Sequence, residues 1–243
     1  MNAIKRNIPN AITSLNLLFG CIALVFIFQN KLVDASYMVA FAAISDFFDG
    51  MAARLLKVHS DIGKQLDSLA DMVSFGVVPG MMVFKLIANT SIELVDINDF
   101  LRWAGLFIPV FAALRLAKSN IDTRQETYFI GVPTPAISLF IVSFPLIFNH
   151  SDYWMNIYST NINMVCWFFA ILSVICSILM VIPLPLLSMK FKSMSLSDNK
   201  ARYILLILSL ASIIAFQFAA APIIMVLYIV LSLFANPAKE AYE

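Results

Sequence analysis

The chain has 243 residues, of which 61% are hydrophobic and only 13% charged, and its net charge at pH 7 is +1. Soluble domains are about half apolar and about a quarter charged, so this composition excludes a water-soluble globular protein and predicts one that lies in lipid. A net charge this close to zero gives no reason to expect nucleic acid as a partner.

Apolar runs follow one another along the chain, and a bilayer is crossed by about 20 such residues in a helix. We predict spans at 12–29, 34–56, 66–90, 100–117, 133–149, 162–187, 202–218 and 221–235. The last two are one apolar run, divided at Pro222 because proline marks a turn. Seven spans, or a re-entrant final hairpin, are the alternatives. The sequence therefore predicts an all-α polytopic membrane bundle of about eight transmembrane helices, forming one domain over residues 1–243.

Basic residues in the loops indicate the orientation of this bundle. All but three of the 16 Lys and Arg residues fall on one side of the predicted membrane, the exceptions being Lys31, Lys85 and Arg102. Cytoplasmic loops of membrane proteins carry the excess of Lys and Arg. We therefore expect a multi-pass protein of the cell (inner) membrane with both termini in the cytoplasm.

Four aspartates lie near the cytoplasmic ends of spans 2 and 3. A helix turns about 100° per residue, so Asp46 and Asp49 share one stripe of span 2, and Asp67 and Asp71 share one stripe of span 3. Each stripe also carries small residues, which let helices or a ligand approach closely. Since charges at this depth are costly and usually functional, we expect the two stripes to face each other.

Facing carboxylates repel one another unless a cation lies between them. An all-oxygen set favours Mg²⁺ or Mn²⁺, with Ca²⁺ as another occupant, over zinc. Magnesium is commonly held by a few carboxylates together with substrate phosphates, which suggests a pyrophosphate substrate. Arg54 could neutralise a phosphate oxygen. The alternatives are that Arg54, Lys57 and Lys64 simply form ion pairs with the aspartates, or that the two helix ends are only solvated.

Residues 46–71 read D-x2-D-G-x2-A-R-x8-G-x3-D-x3-D, which resembles the signature of the CDP-alcohol phosphatidyltransferase family. The resemblance implies that Asp46, Asp49 and Asp67 bind the metal and that Asp71 is the general base, in contact with a second ion. It further implies a binding site for the CDP group, formed by Asp49, Gly50, Ala53, Arg54, Gly63 and Asp67.

Other stretches resemble the phosphatidylserine synthase branch of that family, among them residues 9–16, 67–79, 113–117 and 128–135. The branch implies transfer of a phosphatidyl group from CDP-diacylglycerol to L-serine by a membrane-embedded homodimer. Candidate contacts to the substrates are Arg115, Ser68, Ser74, Asn10 and Thr13.

Each of these side chains also has a structural interpretation. Arg115 could be a positively charged anchor at the cytoplasmic surface, the serines could join helices, and Asn10 could cap the first helix.

Two other functions fit parts of the pattern. The same chemistry could use another alcohol, such as glycerol 3-phosphate or inositol. The aspartates could instead line the path of a divalent-cation transporter, although transport sites usually lie near the midplane at broken helices.

Overall fold

A computed structural model describes residues 2–58, 60–90, 100–121, 129–187 and 199–235. The helices are α1 (Asn2–Phe28), α2 (Leu32–Leu56), α3 (Asp61–Asp71), α4 (Val78–Thr90), α5 (Phe107–Ile121), α6 (Thr134–His150), α7 (Asp152–Thr160), α8 (Ile162–Val181), α9 (Lys200–Phe216) and α10 (Ala220–Ala235). A helix covers most of each predicted span, which confirms the all-α bundle.

A tight reversal joins α1 to α2. Asn30 adopts the left-handed conformation with φ 60°, which asparagine tolerates better than most residues, and the Lys31 amide donates to the Phe26 carbonyl at 2.9 Å. The two helices then pack along each other, and α1 also contacts α3. The buried face of α2 repeats every three or four residues and ends at Asp49.

A short loop brings the ends of α2 and α3 together. Lys57 ends α2 in the left-handed conformation, and its amide bonds to the Ala53 and Arg54 carbonyls. Ser60 then caps α3 by accepting a hydrogen bond from the Gly63 amide at 3.3 Å. Because α3 begins at Asp61, the helix starts earlier than the predicted span, which began at residue 66.

A π-helical turn, Met72–Val77, follows Asp71 and leads into α4. Such turns occur inside α-helices, frequently at functional sites. Gly76 lies in this turn, and a methyl group built there would lie 3.1 Å from the Ala112 Cβ. The helix after the aspartates is therefore packed tightly against α5.

Two glycines allow a second close crossing, between α4 and the 3₁₀ turn Arg102–Leu106 that precedes α5. A Cβ on Gly80 would lie 2.8 Å from the Gly105 carbonyl oxygen, and a Cβ on Gly105 would lie 2.6 Å from that of Gly80. Small residues at helix crossings are typical of membrane bundles.

Strands β1 (Phe129–Ile130) and β2 (Pro185–Leu186) form a short antiparallel pair, and β2 contacts α10. The prediction that span 6 continues to residue 187 is wrong, because α8 ends at Val181. Pro183 and Pro185 follow, and a proline disfavours the helical conformation of the residue before it. Gly131 makes the turn after β1 with φ 74°.

Within the described residues, five stretches are long and apolar enough to cross a membrane, and six if the pair α6 and α7, bent by 106°, counts as one. The protein is therefore a multi-pass membrane protein. The last stretch, Lys200–Ala235, has 36 residues; it breaks at Gln217, with φ 49°, and α9 and α10 pack against each other.

The sequence placed this break at Pro222, which instead lies in the first turn of α10, where proline is tolerated. The total of eight spans stays a prediction. Four of the basic residues that supported the cytoplasmic orientation lie outside the described residues: Arg124, Lys190, Lys192 and Lys239.

Candidate active site

The four aspartates meet as the helical spacing predicts. An oxygen of Asp46, one of Asp49 and one of Asp67 all lie within 4.8 Å of one another. The carboxyl group of Asp71 lies in hydrogen-bonding range of Asp46. The two stripes therefore face each other across the junction of α2 and α3.

Helix α1 closes this cluster from a third side. Asn16 is fully buried, and its Nδ2 donates to Oδ1 of Asp71 at 3.1 Å. The Thr13 hydroxyl lies beside the Asp49 carboxyl group and donates to the Pro9 carbonyl at 3.0 Å. A contact from α1 thus fixes the Asp71 carboxyl group, and Thr13 of the same helix lies against that of Asp49.

A divalent cation fits this set of donors. Oδ2 of Asp49 is buried and has no hydrogen-bond partner, a costly condition that a bound cation relieves. The ligands are carboxylate oxygens without imidazole or thiolate, which suits a hard cation such as Mg²⁺ or Mn²⁺.

The nearby basic side chains bond elsewhere. Nε of Arg54 donates to the Gly50 carbonyl at 3.0 Å. Nζ of Lys64 donates to the Asn120 carbonyl at 2.8 Å. These contacts favour a cation between the aspartates over the alternative of ion pairs with the two side chains.

A cavity of about 310 Å³ opens beside the aspartates. Its walls are Pro9, Asn10, Thr13, Asp49, Gly50, Ala53, Val58, Ser60, Gly63, Lys64 and Asp67. The cavity thus brings together five of the six residues expected to bind CDP. The sixth, Arg54, is exposed and is not part of the wall.

Two glycines of the signature have different surroundings. A Cβ built on Gly50 has no protein atom within 4 Å, whereas one built on Gly63 would lie 2.7 Å from Oδ1 of Asn10. Gly63 therefore lets α3 approach α1. Packing within the protein does not require a glycine at position 50, but a ligand that approaches the backbone of α2 would.

Arg115 lies inside the bundle rather than at its surface, with 7% of its area exposed. Its Nη1 donates to Oγ1 of Thr134 at 3.4 Å, and its buried Nε has no hydrogen-bond partner. Asp71 lies close enough to attract it electrostatically. An unpaired guanidinium donor beside the fourth aspartate can receive an anionic group.

The two candidate serines bond to neighbouring helices. Ser68 accepts from Nδ2 of Asn120 at 2.8 Å and donates to the Lys64 carbonyl. Ser74 is fully buried and donates to the Asn16 carbonyl at 3.0 Å. Ser74 therefore fixes the backbone of the residue that contacts Asp71.

Lys64 in the cavity wall and Thr134 beside Arg115 were not predicted as substrate contacts. Asn16 belongs to the stretch 9–16 that resembles the phosphatidylserine synthases, but its contact with Asp71 was not predicted. Asn16 follows Thr13 by three residues and so lies on the same face of α1, which is a signal the sequence does contain. The contact between Thr134 and Arg115 joins two helices, and no local sequence pattern predicts it.

Comparison with known proteins agrees with the geometry. The family model for CDP-alcohol phosphatidyltransferase matches residues 6–179. The CDP-diacylglycerol–serine O-phosphatidyltransferase of Bacillus subtilis (strain 168) is 34% identical over 142 residues, covering 58% of this chain and 77% of that protein.

Proteins of the same name were found in two other bacteria. The one from Helicobacter pylori (strain J99) is 32% identical over 136 residues, covering 55% of each chain. The one from Mycobacterium bovis is 29% identical over 214 residues, covering 84% of this chain and 68% of that protein. This chain thus spans about half the length of the Helicobacter relative and a larger part of the other two.

The family match includes α1, which contributes Asn16, and α5, which contributes Arg115, as well as the signature at 46–71. It covers well over half of the chain, and the protein belongs to the CDP-alcohol phosphatidyltransferase family.

Proposed function

We propose that this protein is a phosphatidylserine synthase, which transfers the phosphatidyl group of CDP-diacylglycerol to L-serine and releases CMP. The observation that carries the proposal is the meeting of Asp46, Asp49 and Asp67, with Asp71 next to Asp46, beside a cavity of about 310 Å³. The name shared by the bacterial relatives supports serine as the acceptor.

Asp46, Asp49 and Asp67 are the proposed ligands of a divalent cation, Mg²⁺ or Mn²⁺, with Asp71 at its edge. When bound, the cation neutralises negative charge on the pyrophosphate and on the departing CMP. Side chains of the protein bind the nucleotide, orient the acceptor and accept its proton.

The cavity between α1, α2 and α3 is the proposed site for the CDP group. Gly50 and Ala53 leave room along α2 for the nucleotide to approach the backbone. Lys64, in the wall, supplies a positive charge for a phosphate oxygen. Arg54, which is exposed, has the same proposed charge-neutralising role at the rim of the cavity. Asn10 and Thr13 line the cavity, and we therefore assign them to the nucleotide rather than to the serine.

Asp71 is the proposed general base. Nδ2 of Asn16 donates to Oδ1 of Asp71, which fixes the carboxyl group that is to accept the proton of the serine hydroxyl. The serine oxygen then forms a bond to the β-phosphorus of CDP-diacylglycerol, and the bond from that phosphorus to CMP breaks. Positioned bases of this kind contribute roughly 10²–10⁴-fold to rates.

Arg115 is the proposed ligand of the serine carboxylate. It lies on α5, which packs against the turn that follows Asp71, and its buried Nε has no hydrogen-bond partner. Guanidinium groups pair strongly with carboxylates. An acceptor held there would present its hydroxyl group to Asp71. Ser68 and Ser74 support the site through their helix contacts.

We further propose that the protein lies in the cell (inner) membrane as a homodimer, with the aspartates and both termini facing the cytoplasm. The distribution of Lys and Arg supports this orientation, and serine and nucleotide substrates are available on that side. Mass measurement of the protein in a detergent micelle tests the dimer, because a monomer mass contradicts it.

The function is tested by CMP release from CDP-diacylglycerol by the purified protein. We expect release with Mn²⁺ or Mg²⁺ and L-serine, and little with glycerol 3-phosphate or inositol. Asp71→Asn serves as the inactive control. Release that depends on another alcohol would reassign the acceptor, and cation uptake by proteoliposomes without CMP would favour the transporter.

A further inference from the structure

The π-helical turn Met72–Val77 leaves one backbone carbonyl without a partner in its own helix. In an α-helix the Val78 amide would donate to the Ser74 carbonyl, but here it donates to the Val73 carbonyl. In a π-helix the donor to Ser74 would be residue 79, which is Pro79, and proline has no backbone N–H. The Ser74 carbonyl is therefore available for a contact outside its helix.

Helix α6 makes that contact. Oγ of Ser138, which is fully buried, donates to the Ser74 carbonyl at 3.4 Å. The Ser74 hydroxyl group donates in turn to the Asn16 carbonyl at 3.0 Å, and Nδ2 of Asn16 donates to Oδ1 of Asp71 at 3.1 Å. A series of buried contacts thus runs from α6 through the π-helical turn and α1 to the fourth aspartate.

Close packing supports the middle of this series. Gly20 is buried on α1, one turn after Asn16. A methyl group built on Gly20 would overlap Oγ of Ser74 and lie 3.1 Å from its Cα. The glycine therefore lets the π-helical turn approach α1 closely enough for the Ser74 hydroxyl group to reach the Asn16 carbonyl.

The series matters because its last member is the proposed base. A proton acceptor works only within hydrogen-bonding reach of the group that loses the proton, and small displacements of reacting groups lower the rate strongly. Asn16 fixes the Asp71 carboxyl group through its side chain, while Ser74 holds the backbone of Asn16. Movement of Ser74 would therefore reach Asp71 through Asn16.

We propose that Ser74 and Ser138 are positioning residues that hold Asn16, and through it the Asp71 carboxyl group, in the orientation needed to accept the proton. This inference rests on the proposed function, because it takes Asp71 as the base. It gives the π-helical turn and α6 a part in setting the rate, although neither supplies a metal ligand or the base itself.

Ser74→Ala tests the proposal, because it removes only the hydroxyl group that holds Asn16. We expect kcat for CMP release to fall about three- to tenfold, the effect of losing one hydrogen bond. The KM values for CDP-diacylglycerol and L-serine should stay within about twofold of those of the wild type, because Ser74 acts on the base and not on substrate binding.

The same substitution in the Asn16→Ala background separates positioning from a general effect on the fold. That background has already lost the contact between Asn16 and Asp71, so Ser74→Ala should lower kcat by less than about twofold further. Residues that act through one another are not additive, whereas independent residues are. A further three- to tenfold fall would show that Ser74 does not act through Asn16.

Ser173→Ala is the matched control. Ser173 is also fully buried, and its hydroxyl group donates to the Phe169 carbonyl at 2.8 Å within α8. Both variants lose one buried hydrogen bond from a serine to a helix carbonyl, so both should lose some thermal stability. Only Ser74→Ala should lower kcat.

An unchanged kcat in folded Ser74→Ala, or an equal fall in Ser173→Ala, overturns the proposal. If Ser74→Ala does not fold, Ser138→Ala should lower kcat at least about twofold in the wild type but not in the Asn16→Ala background; any other result overturns the proposal as well. Failure of the proposed function is distinct, since Asp71→Asn would then keep its turnover or the wild type would release no CMP in response to serine.

Discussion

Replacing Gly50 by alanine should separate nucleotide binding from stability. Gly50 lies within α2 and in the wall of the cavity. A Cβ at this position meets no protein atom within 4 Å, so the protein itself accommodates the methyl group. Alanine favours a helix over glycine by about 1 kcal/mol, so the variant should unfold at the same temperature as the wild type or a higher one.

The methyl group would occupy space that the nucleotide uses. Forcing one extra methyl group into a packed contact costs roughly 1–3 kcal/mol, which corresponds to about a 5- to 150-fold rise in the KM for CDP-diacylglycerol. CMP release at varied CDP-diacylglycerol gives the KM, and thermal unfolding of the same sample in detergent gives the stability.

Gly76→Ala is the matched control, because its methyl group would press on Ala112 at 3.1 Å and on Sδ of Met72 at 3.3 Å. We expect this variant to lose stability and to keep its KM for CDP-diacylglycerol. The reasoning is refuted if Gly50→Ala binds the nucleotide like the wild type, or if it loses affinity only because it unfolds.

Three further substitutions test the assigned roles. Asp71→Asn keeps the shape of the side chain but removes the carboxylate that accepts the proton. Turnover should fall at least about 100-fold, while equilibrium binding of CDP-diacylglycerol persists. Normal turnover in this variant would show that Asp71 is not the base. Asp46→Ala should weaken metal dependence and nucleotide binding together, as measured by Mn²⁺ titration of CMP release, and a loss of only one would contradict the shared site. Asn16→Ala should lower kcat about tenfold, which corresponds to about 1.4 kcal/mol in activation free energy, without changing the KM for CDP-diacylglycerol. A change in that KM alone would mean that Asn16 contacts the nucleotide instead.

The pairing of the aspartate stripes could be predicted because it follows from local geometry. Asp46 and Asp49 are three residues apart, Asp67 and Asp71 are four apart, and a turn must join the two antiparallel helices. Lys57 in the left-handed conformation and Ser60 as a cap make that turn. The cavity wall follows from the same arrangement, and so most of the expected CDP-binding residues lie together.

Contacts between distant segments could not be predicted in this way. Asn16 and Asp71 are 55 positions apart, and their meeting depends on how α1 packs against α3. The π-helical turn at Met72–Val77 has no period that distinguishes it from an α-helix in an apolar run. The break between α9 and α10 was predicted, but it was assigned to Pro222 and not to Gln217, because both helices are apolar and no local signal marks the turn.

The central claim is that the aspartates hold a divalent cation where the phosphates of the nucleotide reach it. Electron paramagnetic resonance of free Mn²⁺, measured during titration into the purified protein, tests it most directly. We expect the wild type to bind Mn²⁺ and CDP-diacylglycerol to tighten that binding, and we expect Asp67→Asn to weaken both effects. Equal Mn²⁺ binding by the wild type and Asp67→Asn, or no response to CDP-diacylglycerol, would contradict the account.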